Sequence, residues 1–270
     1  SGRREFPSTR HSAGLNDMAV QLYAFTCGYL TIPRAFMLEG EHGLITVPIP
    51  SYLMVHPKGR VLFDTGLPIE TLENPVAHIG VMLASYHQFD FHPGQEVGAR
   101  LAAMQVSPDK IDIVINSHLH FDHCGGNGQL PNADILIQKS ELTHARAVES
   151  TNGYLVGDWD TGQRFRIVDG EHDVFGDGTV VCLPTFGHTP GHQSLRVQTE
   201  EGGEFILCGD ACYLKESLER LHLPGIIADK EAALSVLHRL REMQARGSTI
   251  MFGHDFEFWK SIPQAPIRLG

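Results

Sequence analysis

Short apolar runs broken by glycine, proline and acidic residues dominate this chain, and amphipathic helical spacing is confined to a few segments. Such runs, bounded by turn residues, read as strands. Ala19–Thr26 predicts the first strand and Ile45–Asp64 a hairpin or meander. Its arms Tyr52–Val55 and Arg60–Phe63 are joined by His56-Pro57-Lys58-Gly59, whose Pro and Gly supply turn chemistry. Leu67–Gln95 has no clean periodicity, and a stretch of that length is expected to be functional or locally helical rather than bare loop. Val97, Leu101 and Met104 have the spacing of an amphipathic helix ending near Ser107-Pro108, and the apolar strand Ile111–Ile115 follows. Beyond it the pattern predicts strand Ile135–Gln138, a helix near Ser140–Glu149, and strands Thr179–Leu183, Ser194–Val197 and Phe205–Cys208. A strong helix, Lys230–Arg246, has Asp229 placed to cap it and Gly247 to end it, and Thr249–Phe252 is the last strand. No repeat or low-complexity linker divides the chain. It reads as a tail or arm over residues 1–18 and one α/β domain over 19–270.

Composition narrows the partners. The net charge of −11 comes without any basic stripe, which argues against nucleic acid and anionic membrane. Leu44–Pro50 and Ile79–Ala84, the longest apolar stretches, are far short of the roughly 20 residues that span a bilayer. Ser1–Asn16 is polar, with Arg3, Arg4 and Arg10, and has no secretory pattern. The five cysteines are an odd number without a CxxC pair, which fits reduced thiols and a cytoplasmic location.

The densest chemistry is His118-Leu119-His120-Phe121-Asp122-His123, directly after a predicted strand. Imidazoles and a carboxylate packed this closely suit the ligand sphere of a divalent transition metal. Three later segments each set a ligand-type residue beside a glycine at a predicted strand end. They are Gly187-His188-Thr189-Pro190-Gly191-His192, Cys208-Gly209-Asp210-Ala211 and Phe252-Gly253-His254-Asp255. Segments so distant in sequence converge only if the fold gathers those strand ends.

The order of these segments, with Asp64-Thr65-Gly66 upstream, resembles the metallo-β-lactamase superfamily from about Leu22 to His254. The resemblance implies an αβ/βα four-layer sandwich with two adjacent divalent metals in a cleft along one edge. It assigns His118, His120 and His188 to the first metal, Asp122, His123 and His254 to the second, and Asp210 to both. Asp64 would support the site, and His192 would orient a loop or a ligand without binding metal. Zinc is the default for such donors, with iron, cobalt or manganese as alternatives. Cys124 and Cys212, close to proposed ligands, read as small apolar fillers.

Within the superfamily, β-lactamases with this histidine motif lack an aspartate like Asp210, and RNA-processing nucleases prefer glycine where Phe121 stands. Tyr213, three residues after Asp210, resembles the substrate-binding tyrosine of the quorum-quenching N-acyl homoserine lactonases. Asn116-Ser117, His188 to Ser194 and Gly253-His254-Asp255 are similar to the same family and its neighbours. The resemblance thus implies lactone opening by a metal-bridging hydroxide, with Tyr213 holding the oxyanion and Asp122 carrying a proton to the leaving alkoxide. Ile79, Val81, Met82, Leu83, Tyr86, Phe89, Phe91, Phe36 and Met37 either line an acyl groove or pack in the core, and no residue is assigned to the amide. Other expectations are a thioesterase, a hydrolase of another lactone or of a phosphotriester, or a structural metal-binding protein. The family also suggests a homodimer.

Overall fold

The computed structural model describes residues 20–148 and 150–270, so the expected tail over residues 1–18 lies outside the described residues. Among them run twelve strands: β1 (Gln21–Pro33), β2 (Leu44–His56), β3 (Gly59–Phe63), β4 (Gln88–Asp90), β5 (Ile113–Ile115), β6 (Asp134–Gln138), β7 (Phe165–Val168), β8 (His172–Asp173), β9 (Val180–Pro184), β10 (Gln193–Gln198), β11 (Glu204–Leu207) and β12 (Thr249–Met251). They form a seven-stranded sheet, β4-β1-β2-β3-β5-β6-β7, and a five-stranded sheet, β12-β11-β10-β9-β8. Pairing is parallel from β3 through β5 and β6 to β7, and between β11 and β12.

Alternation along the strands builds the layers, because successive side chains point to opposite faces. Tyr52, Met54, Val61 and Phe63 face inward and meet Val180, Cys182, Leu195, Val197 and Leu207 of the other sheet. Their neighbours Leu53 and Leu62 face outward and pack with Val97 and Leu101 of the helix Val97–Ala103. On the far side Val181, Leu183, Ile206 and Ile250 pack against Val236, Leu237 and Leu240 of the helix Lys230–Ala245. Helix, sheet, sheet and helix therefore stack in four layers. With both faces covered, central strands are apolar throughout, the reason they appear as unbroken runs. Truncating a fully buried side chain such as Leu53 to alanine is expected to cost about 2–5 kcal/mol.

Several boundaries differ from the sequence expectation, each for a local reason. The first strand runs on to Pro33 because a bulge between Thr26 and Tyr29 lets pairing with β2 resume. The hairpin's first arm likewise extends back to Leu44. The helix after Glu96 stops at Ala103, and the strand expected from Ile111 starts at Ile113 after a 3-10 turn at Pro108–Lys110. The next helix is Lys139–Val148, Glu149 being outside the described residues. Strands β7 and β8 went unpredicted. The late helix matches well: Asp229 Oδ1 accepts the N–H groups of Glu231 and Ala232, and Gly247 takes the left-handed φ of +106° that ends it. Among the described residues no helix is long and apolar enough to cross a membrane.

Candidate metal centre

Strand ends from both sheets deliver the predicted residues to one place. Chain leaving β5 carries His118 and His120, and the short helix Phe121–Cys124 carries Asp122 and His123. His188 sits on the β9–β10 connection, Asp210 follows β11 and His254 follows β12. The last two segments touch backbone to backbone: a Cβ on Gly253 would stand 2.2 Å from the Gly209 carbonyl oxygen, so only glycine permits the approach.

Donor atoms of His118, His120, His188 and Asp210 lie within 4.8 Å of one another, and those of Asp122, His123 and His254 form a second such group. Asp210 joins the two. Its Oδ2 is 3.2 Å from His188 Nε2 and 3.7 Å from His118 Nε2, and its Oδ1 is 3.0 Å from His254 Nε2 and 3.1 Å from His123 Nε2. Despite that short distance, His123 Nε2 and Asp210 Oδ1 are misaligned for a hydrogen bond and have no partner among the described residues. Buried polar atoms left so are costly, and lone pairs converging on common space fit a pair of divalent cations.

Hydrogen bonds fix how the imidazoles present themselves. His123 Nδ1–H donates to Asp64 Oδ2 (2.8 Å) and His254 Nδ1–H to the Pro48 carbonyl (2.9 Å), so Nε2 is the nitrogen that each turns to the cluster. Ser117 Oγ donates to Asp64 Oδ2 (2.8 Å) and accepts His118 Nδ1–H (3.0 Å). Asp64, at a left-handed φ of 56°, also accepts the Ser117 N–H at 2.7 Å. It thus braces the site from outside. His192 has both nitrogens engaged: Nε2 accepts the Asp210 N–H (3.0 Å) and Nδ1–H donates to Thr185 Oγ1 (2.8 Å). It orients the Asp210 loop. Cys124 and Cys212 are buried among apolar side chains.

Charge divides the two groups. Burial, reinforced by neighbouring imidazoles, pushes His118 and His120 well below the usual histidine range, and His188 also falls. Burial opposes protonation of His123 and His254 as well, but Asp210 overrides it with help from Asp122, and His123 rises well above the usual range. Asp210, despite burial, is held far below the carboxylate range by His123, His254 and His188.

A groove of about 290 Å³ opens onto this cluster. Its wall includes Phe36, Met37, Met82, Leu83 and Tyr86, and Asp122, His120 and Tyr213 border it toward the cluster. The other groove candidates went elsewhere. Ile79 and Phe91 are buried in the cluster behind the wall, Phe89 is partly buried against it, and Val81 faces solvent. The unperiodic 67–95 stretch holds a 3-10 turn, the helix Pro75–Ala84 and strand β4.

Sequence reasoning missed Pro48, Asn152, His87 and Glu141. Pro48 acts through its carbonyl, which any residue supplies. Asn152, at a left-handed φ of 52°, and His87 line the groove. Glu141, fully buried, accepts four hydrogen bonds, and nothing in Lys139-Ser140-Glu141-Leu142 marks it as buried.

A four-layer αβ/βα sandwich with paired His/Asp donor groups at converging strand ends defines a class of metal-dependent hydrolases. Residues 44–254 match the metallo-beta-lactamase superfamily, and the chain belongs to it. Among curated relatives, the N-acyl homoserine lactonase AttM of Azorhizobium caulinodans is 31% identical, over 92% of this chain and 97% of that protein. The N-acyl homoserine lactonase AiiA of Bacillus thuringiensis subsp. kurstaki is 34% identical, over 83% and 87%. A solved N-acyl homoserine lactone hydrolase, with the product N-hexanoyl-L-homoserine at its catalytic metal center, superposes with a TM-score of 0.84 at 31% identity. That match covers 93% of this chain and 99% of the other.

Proposed function

We propose that this protein opens the lactone ring of N-acyl homoserine lactones and so silences signals of that class. The proposed ligands are His118, His120 and His188 for one cation, Asp122, His123 and His254 for the other, and Asp210 for both. Two divalent cations, with zinc best matched to imidazole and carboxylate donors, supply Lewis acidity and a water acidified to near neutrality. The carrying observation is the apolar groove that ends at Tyr213 and Asp122 beside the donor cluster.

Tyr213 Oη lies 2.9 Å from His188 Nδ1. With His188 Nε2 turned to the cluster, Nδ1 holds the proton and Tyr213 accepts it, so the phenolic proton stays free for the substrate carbonyl oxygen. Burial raises the Tyr213 pKa well above the tyrosine range and keeps that proton in place. Asp122, its side chain 17% exposed and Oδ2 3.6 Å from His123 Nε2, takes the proton released on attack and returns it to the ring oxygen as the C–O bond breaks. The acyl chain lies along Met37, Met82 and Leu83. His87 Nδ1–H donates to the Leu83 carbonyl (2.7 Å), which leaves Nε2 as an acceptor for the substrate amide N–H.

The test is mass spectrometry of products from hexanoyl and decanoyl homoserine lactones, with metal-quantified enzyme before and after chelation. A product heavier by one water, formed only by loaded enzyme and faster than from a thioester or a β-lactam, is expected. An intact lactone in the presence of two bound metals would transfer the reading to another ester-like substrate.

A further inference from the structure

Glu141 stands at the start of the helix Lys139–Val148, fully buried, with no ion-pair partner among the described residues. Hydrogen bonds are what support its carboxylate. Oε1 accepts the Leu119 N–H at 3.0 Å and the Tyr154 hydroxyl at 2.9 Å, and Oε2 accepts the Thr189 hydroxyl at 2.6 Å and the Gly191 N–H at 3.1 Å. All four partners donate, so the position demands a group that only accepts, and an amide would turn a donor onto donors.

What those donors belong to gives the carboxylate its role. Leu119 is the residue between His118 and His120, and Thr189 follows His188. Tyr154 packs edge-on to the His120 ring at 4.6 Å and bridges its backbone. Leu119, Tyr154 and Thr189 thus lead to His118, His120 or His188, and Gly191 lies on the His188 connection, so the carboxylate ties together two loops about seventy residues apart, beside the Gln193 N–H bond to the Ser117 carbonyl. None leads to Asp122, His123 or His254. His123 and His254 take their orientation from Asp64 and from the Pro48 carbonyl.

We propose that Glu141 is a positioning residue for one half of the dimetal centre, fixing His118, His120 and His188 so that this half holds its cation. The inference rests on the ligand assignment proposed above. Losing the carboxylate weakens that half alone.

Glu141→Gln keeps the size of the side chain, removes its charge and replaces one acceptor oxygen with a donor. Metal per chain would be measured by elemental analysis after equilibration with graded chelator, in the full-length protein and in two backgrounds. His254→Ala retains the half that Glu141 serves, and His188→Ala retains the other. The expected result is about 10–100-fold weaker retention from Glu141→Gln in the His254→Ala background and no change in the His188→Ala background. Thr189→Val, which removes one of the four donors, gives the same pattern with a smaller shift and stands in if Glu141→Gln fails to fold. Equal weakening of both halves, or no weakening in a folded variant, overturns the proposal. An unsubstituted chain that retains fewer than two metals overturns the ligand assignment first, and this proposal with it.

Discussion

The donor cluster and the groove wall lie side by side and are built in opposite ways. In the cluster nearly every ligand-type imidazole is turned by a second contact: His118 by Ser117, His123 by Asp64, His188 by Tyr213 and His254 by Pro48. On the wall, Met82 is 77% exposed, and the helix that carries it is broken at Gly80, where φ and ψ are 80° and 159°. Orientation is determined by buried hydrogen bonds at the first region, and fit by adaptable apolar contact at the second. On the proposed function, chemistry and chain-length preference are thus separable in this fold.

The sharpest way to break that separation is Asp122→Asn. Loss of the proposed proton carrier is expected to lower kcat by about 10²–10⁴-fold for every acyl length when activity is normalised to bound metal, as steady-state kinetics beside metal analysis would reveal. Full turnover would remove Asp122 from the chemistry. Tyr213→Phe comes next, with kcat reduced on the order of 10²-fold for short and long chains alike. A loss confined to long chains would instead make Tyr213 part of the wall.

Acid sharpens the comparison inside the cluster itself. His123 and His254 have raised pKa values in the metal-free protein, while His118, His120 and His188 are lowered, so a cation must displace protons mainly from the first pair. Below the raised values, affinity falls with pH by about tenfold per unit for each proton displaced. As pH drops, the Asp122–His123–His254 half is expected to empty before the other, giving a two-step release when bound metal is followed against pH. The smallest effect belongs to the wall. Met82→Ala is expected to raise KM for a decanoyl substrate about fivefold, since part of a side chain worth roughly 2 kcal/mol of burial is lost, and to leave hexanoyl kinetics nearly unchanged.

Legibility in the sequence followed the same divide. Ligand-type residues were readable because so many imidazoles and carboxylates in a few positions have no ordinary role in a core, and glycines marked the strand ends. Strands were readable where both faces are covered, whereas the four-layer stacking came from the family resemblance. Glu141 was not, because a glutamate near a helix start looks alike whether it is solvated or anchoring two loops. Nor was the wall: the backbone at Gly80 resets the helical phase, so the spacing that assigns faces fails between Ile79, which is buried, and Met82, which is exposed. In β1 the bulge after Thr26 broke the alternation in the same way and hid the strand's second half.

The bond from His254 to the Pro48 carbonyl joins residues 206 positions apart. During synthesis the chain therefore carries His118 and His120 out of the ribosome long before Asp210 exists, and His254 emerges last of all. On the proposed ligand assignment, a cation met before β9 is made finds only His118, His120 and His123 with Asp122, so full loading waits for Asp210 and His254 and closes assembly rather than starting it.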